Sequence, residues 1–193
     1  MSGSRNLTIV ACALAIVVAG TVFFISKYSK RESAQQIQTV DLNFATTTIG
    51  QDDVSNDRTV PAGMHEYKST EYNFSLFYPQ ELTVSPYNEG GGAATITFQN
   101  PDTVEGFQIF ITPYDETQIS DARFKQDEPS GVRESLSNIT VDGATGAEFF
   151  STDVNLGATR EVWFIHGGFL YEVTTLKSLD SWLADILQTW KFL

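Results

Sequence analysis

The chain has 193 residues, with 12 Lys and Arg against 24 Asp and Glu, a net charge of −12, and one cysteine. That length allows one domain of ordinary size plus an additional segment. The acid excess weighs against nucleic acid as a partner, because Lys and Arg must neutralise phosphates there, and a lone cysteine excludes a disulfide-stapled scaffold.

The charge is unevenly spread. Residues 1–31 carry Arg5, Lys27, Lys30 and Arg31 with no acid, net +4; residues 32–63 carry one base and five acids, net −4; residues 64–193 carry seven bases and nineteen acids, net −12. Self-repulsion that keeps the domain soluble is the simplest reading of the last segment.

Leu7 to Ile25 reads LTIVACALAIVVAGTVFFI, nineteen residues without a charge. At 1.5 Å per residue such a helix spans about 28 Å, close to the bilayer hydrocarbon thickness. The expected membrane anchor is built from Leu7, Ile9, Val10, Cys12, Leu14, Ile16, Val17, Val18, Val22, Phe23, Phe24 and Ile25, with Lys27, Tyr28 and Lys30 as an interfacial belt. The lipid bilayer is then a partner through a single-pass signal anchor.

Two alternatives stand beside it. A cleaved signal peptide would have a shorter apolar core and small residues at its cleavage site, where this sequence has VFFISKY. A lipid-modified Cys12 would explain the lipobox-like IVAC, but only about five apolar residues precede it and the run continues beyond. Orientation by basic residues favours a cytoplasmic domain by about one charge.

Residues 32–63 are rich in Thr, Asp, Asn and Gln without an apolar period, as a flexible polar and acidic tether is. Asp52, Asp53 and Asp57 lie near one another, but the alternating ligands and central glycine of a calcium loop are missing.

Strand signals recur across residues 64–193. They fall on HEYKS, NFSLFYP, LTVSPY, ATITFQ, FQIFITPY, NITV, TGAEFFST, REVWFIH and FLYEVTTL. Gly90-Gly91-Gly92, Asp142-Gly143 and Gly167-Gly168 supply turns. Apolar groups on both faces of the last hairpin, Val162 and Phe164 against Trp163 and Ile165, predict strands covered on both sides. Between them ISDARFKQDEPSGVRESLSN offers one or two short helices. In SLDSWLADILQTWKFL, Leu179, Trp182, Leu183, Ile186 and Trp190 form one helical apolar face, with Ser178 or Asp180 as the cap. The expectation is an α+β domain of seven or eight strands in an antiparallel β-sheet covered by helices.

Catalytic signatures are absent. There is no G-x-S-x-G elbow, and His65 and His166 match no ligand spacing. The glycine triplet lacks the Lys-Ser/Thr of a phosphate loop. The pairs Asp115-Glu116 and Asp127-Glu128 fall in predicted loops, where carboxylates are solvated rather than tuned. His166 is expected to pack its ring or bond to backbone, and Trp163, Trp182 and Trp190 are expected in the core. Asn73-Phe-Ser and Asn138-Ile-Thr match the short glycosylation pattern. No cofactor or metal is expected.

Taken in order, EYNFSLFYP, GFQIFIT, ITVDGATGAEF, EVWFIHGGFLYEVT and LADILQTWKF resemble the strands and closing helix of PsbP-like domains, over Tyr67 to Leu193. The resemblance implies an α/β/α sandwich around an antiparallel sheet, outside the cytoplasm, and a non-catalytic role; the namesake supports the oxygen-evolving complex. It transfers no site residue. The expected function is a membrane-tethered extracytoplasmic module that supports a membrane or envelope protein complex. Alternatives are a small-ligand or divalent-cation sensor using the acidic loops, and a hydrolase with an unrecognised site.

Overall fold

A computed structural model describes residues 58–193. The anchor residues and most of the tether lie outside them; among the described residues no helix is long and apolar enough to cross a membrane.

Among the described residues ten strands form two antiparallel sheets, rather than seven or eight strands in one. The small sheet has the order β1 (Met64–Ser69), β2 (Phe74–Pro79), β10 (Lys191–Phe192). The large sheet runs β3 (Thr83–Gly90), β4 (Ala93–Gln99), β5 (Gly106–Pro113), β9 (Phe169–Leu176), β8 (Gly157–His166), β7 (Ala144–Asp153), β6 (Glu134–Val141). One helix, α1 (Asp121–Asp127), fills the middle segment, and α2 (Asp180–Leu187) follows β9 through a 3₁₀ turn.

The hairpin turns follow from residue chemistry. Asp142-Gly143 and Gly167-Gly168 both hold positive φ at their two central residues, 44° and 86°, 59° and 83°. That is the turn whose twist matches the flanking strands, and glycine adopts it without steric penalty. The sharpest glycine requirement lies elsewhere: a Cβ at Gly146 would sit 2.0 Å from the Trp163 carbonyl oxygen of β8.

Pairing of Phe164 with Tyr171 and of Trp163 with Glu172 places β8 and β9 at the middle of the large sheet, covered on both faces as their composition predicts. On one face, Val162, Phe164, Tyr171, Val173, Ile109 and Phe98 meet β2 and Leu183, Ile186 and Trp190 in the main core. On the other, Trp163, Phe149 and Leu170 pack with Phe124 of α1 and Tyr114.

β2 is buried on both sides. Phe74 and Leu76 enter the main core. Ser75 and Phe77 are covered by Arg58, whose guanidinium lies 4.3 Å from the Phe77 ring centre and donates to Ser75 Oγ and to the Thr189 carbonyl. Thr189 Oγ1 in turn accepts from the Phe77 N–H at 2.8 Å.

The C-terminal segment departs from the periodic reading. The helix ends at Leu187 instead of running through Trp190, and Phe192 pairs with Phe74. Trp190 is delivered to the core by a turn, in which its N–H bonds to the Leu187 carbonyl. Neither Ser178 nor Asp180 caps the start: Leu179 occupies the cap position without a side-chain bond, because the 3₁₀ turn at Lys177–Leu179 leads directly into the helix. Asp180 sits in the first turn, where a carboxylate favours the helix dipole.

Phe74→Ala is expected to destabilise the domain by about 3–5 kcal/mol, through lost burial and the cavity left behind. Urea unfolding followed by tryptophan fluorescence measures it; a loss under 1 kcal/mol would contradict a central place for Phe74.

Candidate functional site

Two features could carry function, and they lie on opposite faces of the large sheet. The first is a set of buried carboxyls on the face against which α1 packs. Glu161 of β8 and Glu172 of β9 alternate onto the face carrying Trp163 and Leu170, and both are buried. Glu161 accepts from Thr174 Oγ1 at 2.6 Å and from the Trp163 indole at 3.3 Å. Burial raises its pKa to about 7, against those hydrogen bonds, which lower it. Glu172 is raised well above the usual carboxyl range, first by burial and then by Asp127, with Arg123 opposing.

Asp127 corrects the expectation that consecutive acids in this segment are solvated. It is the last residue of α1, its side chain is buried, and it pairs with Arg123 one helical turn earlier. Arg123 also reaches Glu172 at 3.3 Å and lies over the Tyr114 ring. Ser120 caps α1 by accepting from the Arg123 N–H, so a sequence-local cap aims Arg123 at the sheet.

The second feature is an open groove of about 510 Å³ between α2 and the β6–β8 end of the main-core face. Its floor includes Ile139, Val141 and Val162, and its wall Leu183 and Leu187. Arg160 crosses it, pairing with Glu148 of β7 and, at 3.1 Å, with Asp180 of α2. Lys191 pairs with Asp142 at one end, and the Lys191 ammonium holds the Asp142 carboxyl below its usual range. Trp190 lines the groove with a buried indole N–H that meets no acceptor among the described residues.

The histidines stay apart. His166 stacks on Phe192 with ring centres 3.6 Å apart, the packing role expected of it, and His65 lies against Tyr78 at 5.8 Å. Among the described residues no group of three or more His, Cys, Asp or Glu is placed to hold a metal. Gly90, Gly91 and Gly92 form the β3–β4 turn. Trp163 and Trp190 are core residues, and Trp182 packs partly buried beside Phe107. Asn138 is exposed on β6; Asn73 lies in the β1–β2 turn at φ 51°. Sequence reasoning missed Glu161 and Glu172. A charge in the middle of the runs REVWFIH and FLYEVTTL was the available signal, since acids are seldom fully buried without a partner.

No family model matches the chain, and no curated protein matches it. Two solved structures are similar in chain path. A crystal structure from Bacteroides thetaiotaomicron VPI-5482 is 16% identical with a TM-score of 0.45, covering 66% of this chain and 48% of its own, so the chain spans about half of that protein. The solution structure of cyanobacterial PsbP (CyanoP) from Synechocystis sp. PCC 6803 is 11% identical with a TM-score of 0.49, covering 69% of this chain and 94% of its own.

The raised carboxyls set a pH dependence. A carboxyl whose folded pKa exceeds its unfolded value stabilises most below pH 4.5, and that stability is lost as pH rises towards 7. Glu161→Gln, neutral throughout, is expected to remove roughly 3 kcal/mol of that fall. Urea unfolding at pH 5 and pH 8 checks it; an unchanged pH slope would show that Glu161 titrates normally.

Proposed function

We propose that the chain is a membrane-tethered, extracytoplasmic binding module of PsbP-like architecture, acting as a non-catalytic accessory to a membrane or envelope protein complex. The observation that carries the reading is the separation of the two candidate features. The carboxyls with raised pKa, Glu161 and Glu172, are buried on the face that carries Trp163 and Leu170. The concave surface lies on the other face, and the charges that line it are engaged in ion pairs. Acid–base chemistry needs the tuned group to reach a substrate, whereas a groove with a neutralised rim suits recognition.

The architectural part rests on the sequence motifs. EYNFSLFYP supplies β2, GFQIFIT supplies β5, and ITVDGATGAEF and EVWFIHGGFLYEVT supply two adjoining hairpins. Each therefore occupies an element that builds one of the two cores. The tethering part rests on the uncharged run from Leu7 to Ile25. The extracytoplasmic placement rests on the PsbP-like habit.

External protease added to intact cells should cleave the tether and release the domain, and mild-detergent purification of the full chain should recover one membrane protein in fixed stoichiometry. A domain protected until lysis would reverse the orientation. Repeated recovery of no partner would remove the accessory role.

A further inference from the structure

The large sheet ends at β6, and among the described residues nothing pairs with its outer edge. The geometry of that edge follows from its turn. A two-residue loop at Asp142-Gly143 makes Val141 and Ala144 the hydrogen-bonded pair that closes the hairpin. By alternation Ile139 and Ser137 bond inward to β7, while Asn138 and Thr140 turn both N–H and C=O outward.

Other edges are blunted. β3 contains Pro86 and a register shift between Asn88 and Gly90, β1 carries Lys68, and β10 has two residues. β6 contains no Lys, Arg or Pro, and its irregularity is confined to Glu134–Ser137. Ser137–Val141 is left as a regular free edge with Asn138 and Thr140 exposed. Beside it the groove opens, with Ile139 half-buried on its floor.

The charge of the domain selects what can approach. Residues 64–193 hold nineteen acids and seven bases. Glu134, Asp142 and Glu148, on or next to this strand, are each paired with a base, Lys177, Lys191 and Arg160, so the attraction comes from the excess acid of the whole domain. A second copy would set one acidic domain against another, whereas a basic chain is drawn in. We propose that β6 is a docking edge for an extended basic segment of a partner protein, which adds as a strand beside Ser137–Val141 and seats an apolar side chain over Ile139. Main-chain bonds supply affinity in such a complex, and the adjoining groove supplies selectivity. This deepens the binding-module reading above and rests on it.

The test uses the full chain in detergent and two probes, the blocked peptides Ac-KVKLKV-amide and Ac-EVELEV-amide. The basic peptide should slow amide exchange in residues 136–141 and bind by fluorescence anisotropy, more weakly as salt is raised. Thr140→Pro removes an outward N–H that the β6–β7 ladder does not use, as an edge strand tolerates. It should weaken binding by about tenfold, the loss of one such bond. Asn138→Lys keeps the backbone and repels the basic peptide, so it should also weaken binding, and it decides the matter if Thr140→Pro does not fold. Equal binding by Asn138→Lys, no slowed exchange at 136–141, preference for the acidic peptide, or protection of β6 by self-association would each overturn the proposal. If Asn138→Lys and the wild-type chain recover the same membrane protein equally, this edge is not its site and the accessory role stands. If the wild-type chain recovers none, both fall.

Discussion

The stack of Trp190 on Phe74 is the contact on which the arrangement of layers depends. The two rings lie nearly parallel with centres 4.3 Å apart, and Trp190 also meets Phe164, Tyr171 and Phe192 edge-on. Phe74 belongs to the small sheet, Phe164 and Tyr171 to the middle of the large one, and Trp190 to the turn after α2. One aromatic seam therefore joins three elements far apart in sequence. Burial of large rings supplies the free energy, and edge-to-face geometry gives it direction. The buried Tyr171 hydroxyl adds a fixed bond to the Tyr72 carbonyl at 2.8 Å, and burial raises its pKa. The β1–β2 turn is thereby tied to the large sheet.

The opposite face is built on a different balance. Phe124 stacks on Trp163 at 4.9 Å and meets Phe149 edge-on, which holds the seven-residue α1 against the sheet. Glu161 and Glu172 are buried on this face, and one guanidinium from the helix, Arg123, serves Asp127 and Glu172. Desolvation disfavours their charged forms more than those partners restore them, so protons are held where isolated carboxyls would have lost them. A buried ionic arrangement of this kind is weak evidence for stability.

The functional reading follows from where these features do not meet. The raised carboxyls Glu161 and Glu172 lie on one face of the large sheet and the groove on the other, at its β6 end. The ion pairs of Arg160 join β7, β8 and α2 across the groove, so its shape is set by the fold before any partner arrives.

Local patterns already determined much of this. Alternation and turn residues located most of the strands, the two Gly-containing hairpins and the double-faced β8–β9 pair, because period-two burial and positive φ are properties of short segments. The apolar run at Leu7–Ile25 and the charge asymmetry are likewise written in composition. Tertiary structure decided the rest. The periodic helix stops at Leu187, and the chain turns so that Phe192 pairs with β2 and joins the aromatic seam. Asp127 is buried, despite an exposed-looking pair of acids, because Arg123 meets it from one helical turn earlier and Glu172 meets it from β9, 49 residues from Arg123 along the chain. Strand order, the free edge at β6 and the groove beside it depend on which sheets and helices cover which face, a matter of long-range packing that no short window of residues contains.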